Sequence, residues 1–181
     1  LIDVQVKRGE LESARANNLI ALEIAEVLTN QDKSNNVWQV SLGVSEYWNA
    51  LLSDQNKAES ANASVSTLSS AHAIEPKNES LLRWLVRALI LQGQLNLADG
   101  ETDRALQFAR QAAEINEPFW KALPNEKNQL SKAQVLILKA EIFLKMNQQK
   151  EAVSSLNEAV ALLRDSNKSE LSFARLDDLV R

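Results

Sequence analysis

The chain has 181 residues, enough for one sizeable domain or a short array of repeats. Its formal net charge of −4 gives no reason to expect nucleic acid or an acidic membrane as partner, and the absence of cysteine excludes disulfides and thiolate metal sites. Four glycines, three prolines and abundant Ala, Leu, Glu, Gln and Lys favour helices over strands, and no apolar run is long enough to insert into a membrane.

Four short segments of similar sequence recur along the chain, at intervals of 47, 44 and 47 residues. They read GELESA, NKAESA, GETDRA and NQQKEA, and they begin at Gly9, Asn56, Gly100 and Asn147. Gly and Asn adopt the left-handed backbone conformation most readily, and helices often end on such a residue. Each segment is therefore predicted to be a tight corner between two antiparallel helices. The chain opens LIDVQVKRGE without an initiator Met, as in a segment of a longer protein.

Helical apolar patterns flank each corner. Upstream lie stretches such as VWQVSLGVSEYWNALL and KAQVLILKAEIFLKM, which have no internal Pro. Downstream, apolar residues at offsets 0, 7 and 10 from the corner alanine fall on one helix face, Ile24 among them. Pro76 and Pro118 disfavour helix at the residue before them, so they are expected to end the second helices.

The repeating unit is thus helix, turn, helix and breaker, with a period of about 45 residues. The predicted units are a partial repeat at 1–31 and full repeats at 32–76, 77–130 and 131–166. The amphipathic tail at 167–181 is predicted to be a helix that caps the last repeat, or else the start of a further unit.

The segment AHAIEPKN and the pattern of small and large residues in the last unit carry a family resemblance; that pattern comprises Leu136, Ala140, Phe143, Ala152, Leu156 and Ala159. The chain resembles tetratricopeptide (TPR) repeat proteins. This implies an all-α, right-handed superhelix of helical hairpins, with about eight helices. The period exceeds the usual ~34 residues, which implies longer helices. Such arrays resemble those C-terminal to signalling domains, such as serine/threonine kinases, in some bacterial proteins.

Residues able to perform chemistry are sparse. His72 has no Cys or second His with which to share a metal, the four glycines are scattered, and no phosphate-binding motif occurs. The serines lack a base–nucleophile signature. The sequence therefore predicts no catalytic residue, metal site or cofactor.

The resemblance implies a concave groove, lined by the first helix of each unit, that binds a peptide or partner helix. When the units are aligned at their corners, the family's groove positions fall in the second unit on Gly43, Glu46, Ala50, Ser53 and Asp54. The predicted partner-binding residues of the next two units are Arg87, Ile90, Gln94 and Leu97, then Gln134, Ile137 and Glu141. The family's carboxylate clamp is absent, because Glu46, Ile90 and Ile137 replace its Lys and Asn. Arg87 is expected either to bind an anionic group or to form a salt bridge to a neighbouring helix.

A second candidate site is the stretch NEPFWKALPNEKNQL, predicted to be a long linker bounded by Pro118 and Pro124. Its adjacent Phe119 and Trp120 would be strong partner anchors if exposed. The alternative is that they fill the space between two units. Trp38, Trp48 and Trp84, within first helices, are expected in the core between helices.

The predicted function is a non-catalytic protein–protein interaction scaffold whose partner is a protein, a peptide or another domain of its parent chain. The alternative is a regulatory or sensory region of a larger bacterial signalling protein, acting by ligand binding or dimerisation. A self-assembling spacer is a third interpretation. The sequence specifies neither compartment nor oligomeric state.

Overall fold

A computed structural model describes residues 1–53, 55–122 and 125–166, and these ranges contain eight α-helices and no strand. The helices are α1 (Ile2–Lys7), α2 (Leu11–Gln31), α3 (Asn36–Leu52), α4 (Lys57–Ile74), α5 (Glu79–Ala98), α6 (Thr102–Ala122), α7 (Glu126–Lys145) and α8 (Gln149–Ser166). The all-α repeat fold expected from the sequence is confirmed. The tail predicted as a cap, 167–181, lies outside the described residues.

The four predicted corners are confirmed by their backbone conformation. Gly9, Asn56, Gly100 and Asn147 have φ values of 75°, 59°, 80° and 58°, all in the left-handed region. Each joins two successive helices into a hairpin: α1 with α2, α3 with α4, α5 with α6, and α7 with α8. Because Gly and Asn enter this region at lower cost than other residues, their recurrence at intervals of 47, 44 and 47 residues marked the corner positions.

The alanine that follows each corner lies on the buried face of the second helix of the hairpin. All four of these alanines, Ala14, Ala61, Ala105 and Ala152, have no exposed surface. A methyl side chain fills such a contact without separating the helix axes, whereas a larger side chain would push them apart. Each repeated segment therefore specifies both the conformation of the corner and a small side chain in the contact between the two helices.

The core is centred on α5, the most deeply buried helix. Eleven of its residues are buried, and it packs against α4, α6 and α7. Leu82, Leu85 and Leu89 of α5 join Leu68 of α4 and Leu138 of α7 in one continuous cluster. Helix α1, by contrast, has no buried residue. Hairpins stacked in sequence thus share a core that no single hairpin could form.

The expectation that Pro118 ends its helix is wrong. Helix α6 continues through Pro118 to Ala122, and only residues 123–125 separate it from α7. The turn after the proline is held by the packing of Phe119 against the main core and by an ion pair within α6, in which Lys121 lies 3.3 Å from Glu117. These contacts outweigh the cost of one missing helical hydrogen bond. The stretch around Phe119 and Trp120 is therefore helix, and the long linker predicted there is not found.

Ile24, expected on one helix face with Ala14, lies outside the buried face of α2, and its side chain is 54% exposed. The face of α2 that packs against α3 runs instead through Ala14, Asn18, Ala25 and Thr29. The amide of Asn18 donates a hydrogen bond to the carbonyl oxygen of Ser45 at 3.1 Å, which fixes the rotation of α2. Ile24 lies outside this seam.

Candidate functional site

Six of the predicted groove residues line a single cavity of about 310 Å³ between α5 and α7. They occupy equivalent positions on the two helices, spaced i, i+3 and i+7, and so project from one face of each. On α5 they are Arg87, Ile90 and Gln94, and on α7 they are Gln134, Ile137 and Glu141. The sequence pattern predicted that these six residues line one groove, and in the structure they surround one cavity.

Helix α3 completes the cavity with Tyr47 and Leu51, two residues that sequence reasoning missed. The predicted α3 residues were counted back from Asn56, but α3 ends at Leu52, four positions before its corner residue. Helices α5 and α7 end only two positions before theirs. This longer turn changes the register, so Gly43 and Ala50 are buried rather than in the groove.

Gly43 instead packs inside the α3–α4 hairpin, where a Cβ would come within 2.6 Å of Cγ of Leu68. Leu97 departs from the prediction as well. It is half-buried and packs against the main core, and it does not line the cavity. Leu97 lies three residues, about 4.5 Å along the helix axis, beyond Gln94, the last residue of α5 that lines the cavity.

Three aromatic rings form a wall between α3 and α5. The ring centroid of Tyr47 lies 5.3 Å from that of Trp48 and 5.5 Å from that of Trp84, and the two tryptophans are 5.9 Å apart, all edge to face. Such geometry is favourable beyond the area that it buries. Trp48 is buried, as the sequence predicted. The wall fixes one side of the cavity.

The guanidinium of Arg87 lies 4.8 Å from the ring centroid of Trp84 in a cation–π contact. The salt bridge expected for Arg87 is not found in the described part of the chain, where no acidic group pairs with it. Stacking on an aromatic ring orients a guanidinium and leaves its N–H groups free to donate. Arg87 thus stands at the groove as an oriented cation.

A second cavity, of about 400 Å³, adjoins the first and shares Arg87 and Gln134 with it. Helices α1, α5 and α7 meet around it, and Trp84, Leu130 and Ser131 form part of its wall. Its charged residues are four basic and one acidic: Lys7, Arg83, Arg87, Lys127 and Asp3. Lys7 pairs with Asp3, and Arg83 lies 3.4 Å from Glu79. The two cavities form one groove, which is basic at the α1 end.

The opposite end of the groove carries Glu141. Burial raises the pKa of this carboxyl above its ordinary range, and no other described residue donates to it or pairs with it. Burial likewise raises the pKa of Tyr47, against the opposing effect of the Arg87 charge. The groove therefore holds polar groups whose hydrogen-bonding capacity is not used within the described structure.

Phe119 and Trp120 do not reach the groove. They lie in the last turn of α6, where Nζ of Lys132 on α7 sits 3.7 Å from the centroid of the Trp120 ring. Lys132 in turn pairs with Glu158 of α8 at 2.9 Å. This placement agrees with the second interpretation, in which the two aromatic residues fill the space between units.

Groups suited to metal chemistry are not assembled in the described ranges, where no three His, Cys, Asp or Glu residues come together. His72 is half-buried on α4, and its Nδ1 atom has no hydrogen-bond partner there. Among the described helices, none is both long enough and apolar enough to cross a lipid bilayer.

Comparison with protein families gives a match to the tetratricopeptide repeat over residues 133–165. Comparison with curated proteins and with solved structures gave no match. The matched segment covers most of α7, the corner at Asn147 and nearly all of α8. The other three hairpins repeat its left-handed corner and its buried alanine. Residues 133–165 thus match a tetratricopeptide repeat, and the helical hairpins of the described ranges are consistent with a tetratricopeptide-like repeat fold.

Proposed function

We propose that this chain is a non-catalytic interaction scaffold that holds a peptide or a partner helix in the groove between α5 and α7. Tetratricopeptide repeats generally mediate protein–protein interaction, and an all-helical fold of this kind is typically non-catalytic. One observation carries the proposal. Side chains spaced i, i+3, i+4 and i+7 on two neighbouring helices converge on one continuous cavity.

The chemistry of the lining supports binding of a polypeptide. Ile90, Leu91 and Ile137 offer an apolar surface, which favours burial of a ligand's apolar side chains. Gln94 and Gln134 each carry an amide that makes no hydrogen bond with another described residue, so both are available to a ligand's backbone. Apolar contact with a few polar anchors is the usual composition of a peptide-recognition groove.

The test is a steric block of the groove. Random peptides of about twelve residues, about 40 Å long when extended, would be displayed on phage and selected against the chain. Affinity of the enriched peptides would then be measured for the chain and for Gln94→Trp, which fills the groove. We expect Gln94→Trp to weaken binding at least about tenfold, because the indole occupies the ligand's volume.

The matched control is Gln111→Trp, the same substitution at an exposed position of α6 away from the groove. It should change affinity by less than about twofold. The proposal is wrong if no peptide is enriched, or if both substitutions have the same effect. A regulatory role within a larger signalling protein stays a prediction from the resemblance.

A further inference from the structure

We infer that the groove selects an extended peptide by its charge distribution: acidic residues at the α1 end, apolar residues between, and a basic residue at the Glu141 end. This rests on the proposed function, since it specifies the ligand of the same groove. It names the peptide chemistry that these residues would recognise.

The α1 end of the groove carries an excess of basic side chains. Four basic side chains and one acidic side chain surround its cavity in a chain whose formal net charge is −4. Two of the four, Arg87 and Lys127, pair with no acidic group in the described part of the protein. Lys127 is exposed, whereas the head of Arg87 is oriented by Trp84. An oriented guanidinium binds a carboxylate with two parallel hydrogen bonds, so carboxylates of the ligand are the fitting counterpart.

Glu141 defines the other end. It is half-buried beside Gln94, Ile137 and Leu138, and its carboxyl has no cationic partner among the described residues. Partial burial makes an unpaired carboxylate costly and makes a cation at that position correspondingly favourable. A Lys or Arg of the ligand would supply that cation. Ile90 and Ile137 lie between the two ends and suit apolar ligand residues.

The helices set the spacing of these features. Fourteen residues of α7 separate Lys127 from Glu141, and seven separate Gln134, at the level of Arg87, from Glu141. At 1.5 Å per residue these separations are about 21 Å and about 10 Å. An extended peptide rises about 3.3 Å per residue, so its acidic and basic residues should be about three to six positions apart.

The size of the groove favours an extended ligand over a helical one. A ligand helix about 10 Å wide would lie over the two cavities, of about 310 Å³ and about 400 Å³, and place only one of its faces in them. An extended chain, narrower than a helix, places its alternate side chains into such a groove.

The experiment uses the peptides enriched from the displayed library and compares two double variants of the chain. Arg87→Glu with Lys127→Glu reverses the two unpaired cations of the basic end. Arg110→Glu with Lys150→Glu makes the same charge change at exposed positions on α6 and α8, outside both cavities. All four positions are exposed, so both variants should fold, which circular dichroism would verify.

We expect the enriched peptides to carry Asp or Glu about three to six positions from Lys or Arg, with apolar residues between. The groove variant should bind them at least about tenfold more weakly, while the control variant should stay within about twofold. Replacing the acidic residues of a peptide by Gln should weaken its binding to the unaltered chain and leave its binding to the groove variant almost unchanged.

Failure of this inference is distinguishable from failure of the proposed function. If Gln94→Trp blocks binding but the peptides show no acidic preference, or if both double variants lose affinity equally, the charge selection is wrong and the groove function stands. If the library yields no bound peptide, both are wrong.

Discussion

Glu46 illustrates how a single side chain can make stability depend on pH. It lies on α3 within reach of Thr67 on α4 and of the charge of Glu26 on α2. Burial, the largest influence, and Glu26 raise the pKa of Glu46 to about 7, while its hydrogen bond with Thr67 acts in the opposite direction. One carboxyl oxygen is buried without a hydrogen-bond partner. The folded state therefore favours the protonated form.

This predicts that Glu46 destabilises the fold above neutral pH. A carboxyl whose pKa is higher in the folded state contributes stability that is fully present below its ordinary value, 4.5, and is lost as the pH rises through 7. Glu46→Gln should remove this dependence. Between pH 5 and pH 8, the free energy of unfolding should fall about 1–2 kcal/mol more for the unaltered chain than for Glu46→Gln, a range reduced to allow for partial solvent access.

Urea denaturation of both proteins at the two pH values measures the difference, and subtraction removes the effects that the two proteins share. Equal pH dependence in the two proteins would contradict the prediction.

Residue type together with its recurrence at intervals of 47, 44 and 47 residues was enough to locate the corners, because Gly and Asn adopt the left-handed conformation most readily. It was not enough to identify the neighbour of Arg87. A sequence shows that Trp84 lies three positions before Arg87, but whether the guanidinium stacks on that ring or pairs with another helix is decided by the tertiary arrangement. The corner conformation depends on the corner residue itself, whereas the neighbour of Arg87 depends on which acidic groups the other helices bring within its reach.

Among the helices, α6 is unusual in containing a proline before its last turn. Pro118 has no N–H to donate to the carbonyl of Glu114 four residues earlier, and its ring crowds that carbonyl. We predict that Pro118→Ala raises the free energy of unfolding by about 1–2 kcal/mol, less than the full cost of about 3 kcal/mol for a mid-helix proline because only four residues follow it.

The control for this prediction is Pro76→Ala, which lies in the break between α4 and α5 and is not helical. There the substitution only adds conformational freedom to the unfolded chain, so stability should stay the same or fall. Chemical denaturation measures both. If Pro118→Ala is no more stable than Pro76→Ala, the strain assigned to Pro118 is absent.

Helix boundaries show where prediction by pattern fails. Pro76 follows the end of α4, whereas Pro118 lies inside α6, although a Glu directly precedes each proline. The difference is packing after the proline: Phe119 reaches the main core, and no comparable side chain follows Pro76 directly. Likewise, the register of α3 depended on a longer turn that its sequence motif did not reveal.

Across the whole array, burial is concentrated in the middle and declines toward α1. Helix α5 packs against its neighbours on several sides, while α1 has six residues and none of them is buried. Amide hydrogen exchange should reflect this gradient, because exchange requires opening and opening is easiest where little apolar surface is lost. We predict that amides of α5 exchange only by global unfolding and that those of α1 exchange at least about a hundredfold faster.

Exchange measured by mass spectrometry on short proteolytic fragments would resolve the helices. Peptide binding at the basic end should slow exchange in α1, since Asp3 and Lys7 line that cavity. Protection of α1 equal to that of α5 in the free chain would contradict the gradient.

The candidate site was predictable wherever the repeat was regular. Because α5 and α7 end at the same distance from their corners, counting from Gly100 and Asn147 placed six residues correctly around one cavity. The basic end was missed because it depends on α1 lying near the first turns of α5 and α7. A repeat alignment does not specify which helices that are not neighbours in sequence, such as α1 and α7, line the same cavity.

The corners themselves face open space: a Cβ built at Gly9 or Gly100 has no atom within 4 Å. The α3–α4 corner already accommodates a longer connection than those after α5 and α7, while its hairpin packs as tightly as theirs. A sequence inserted at Gly100 would project into solvent and leave the positions of the paired helices unchanged. The array can thus carry a guest module, such as a fluorescent reporter, without giving up its groove.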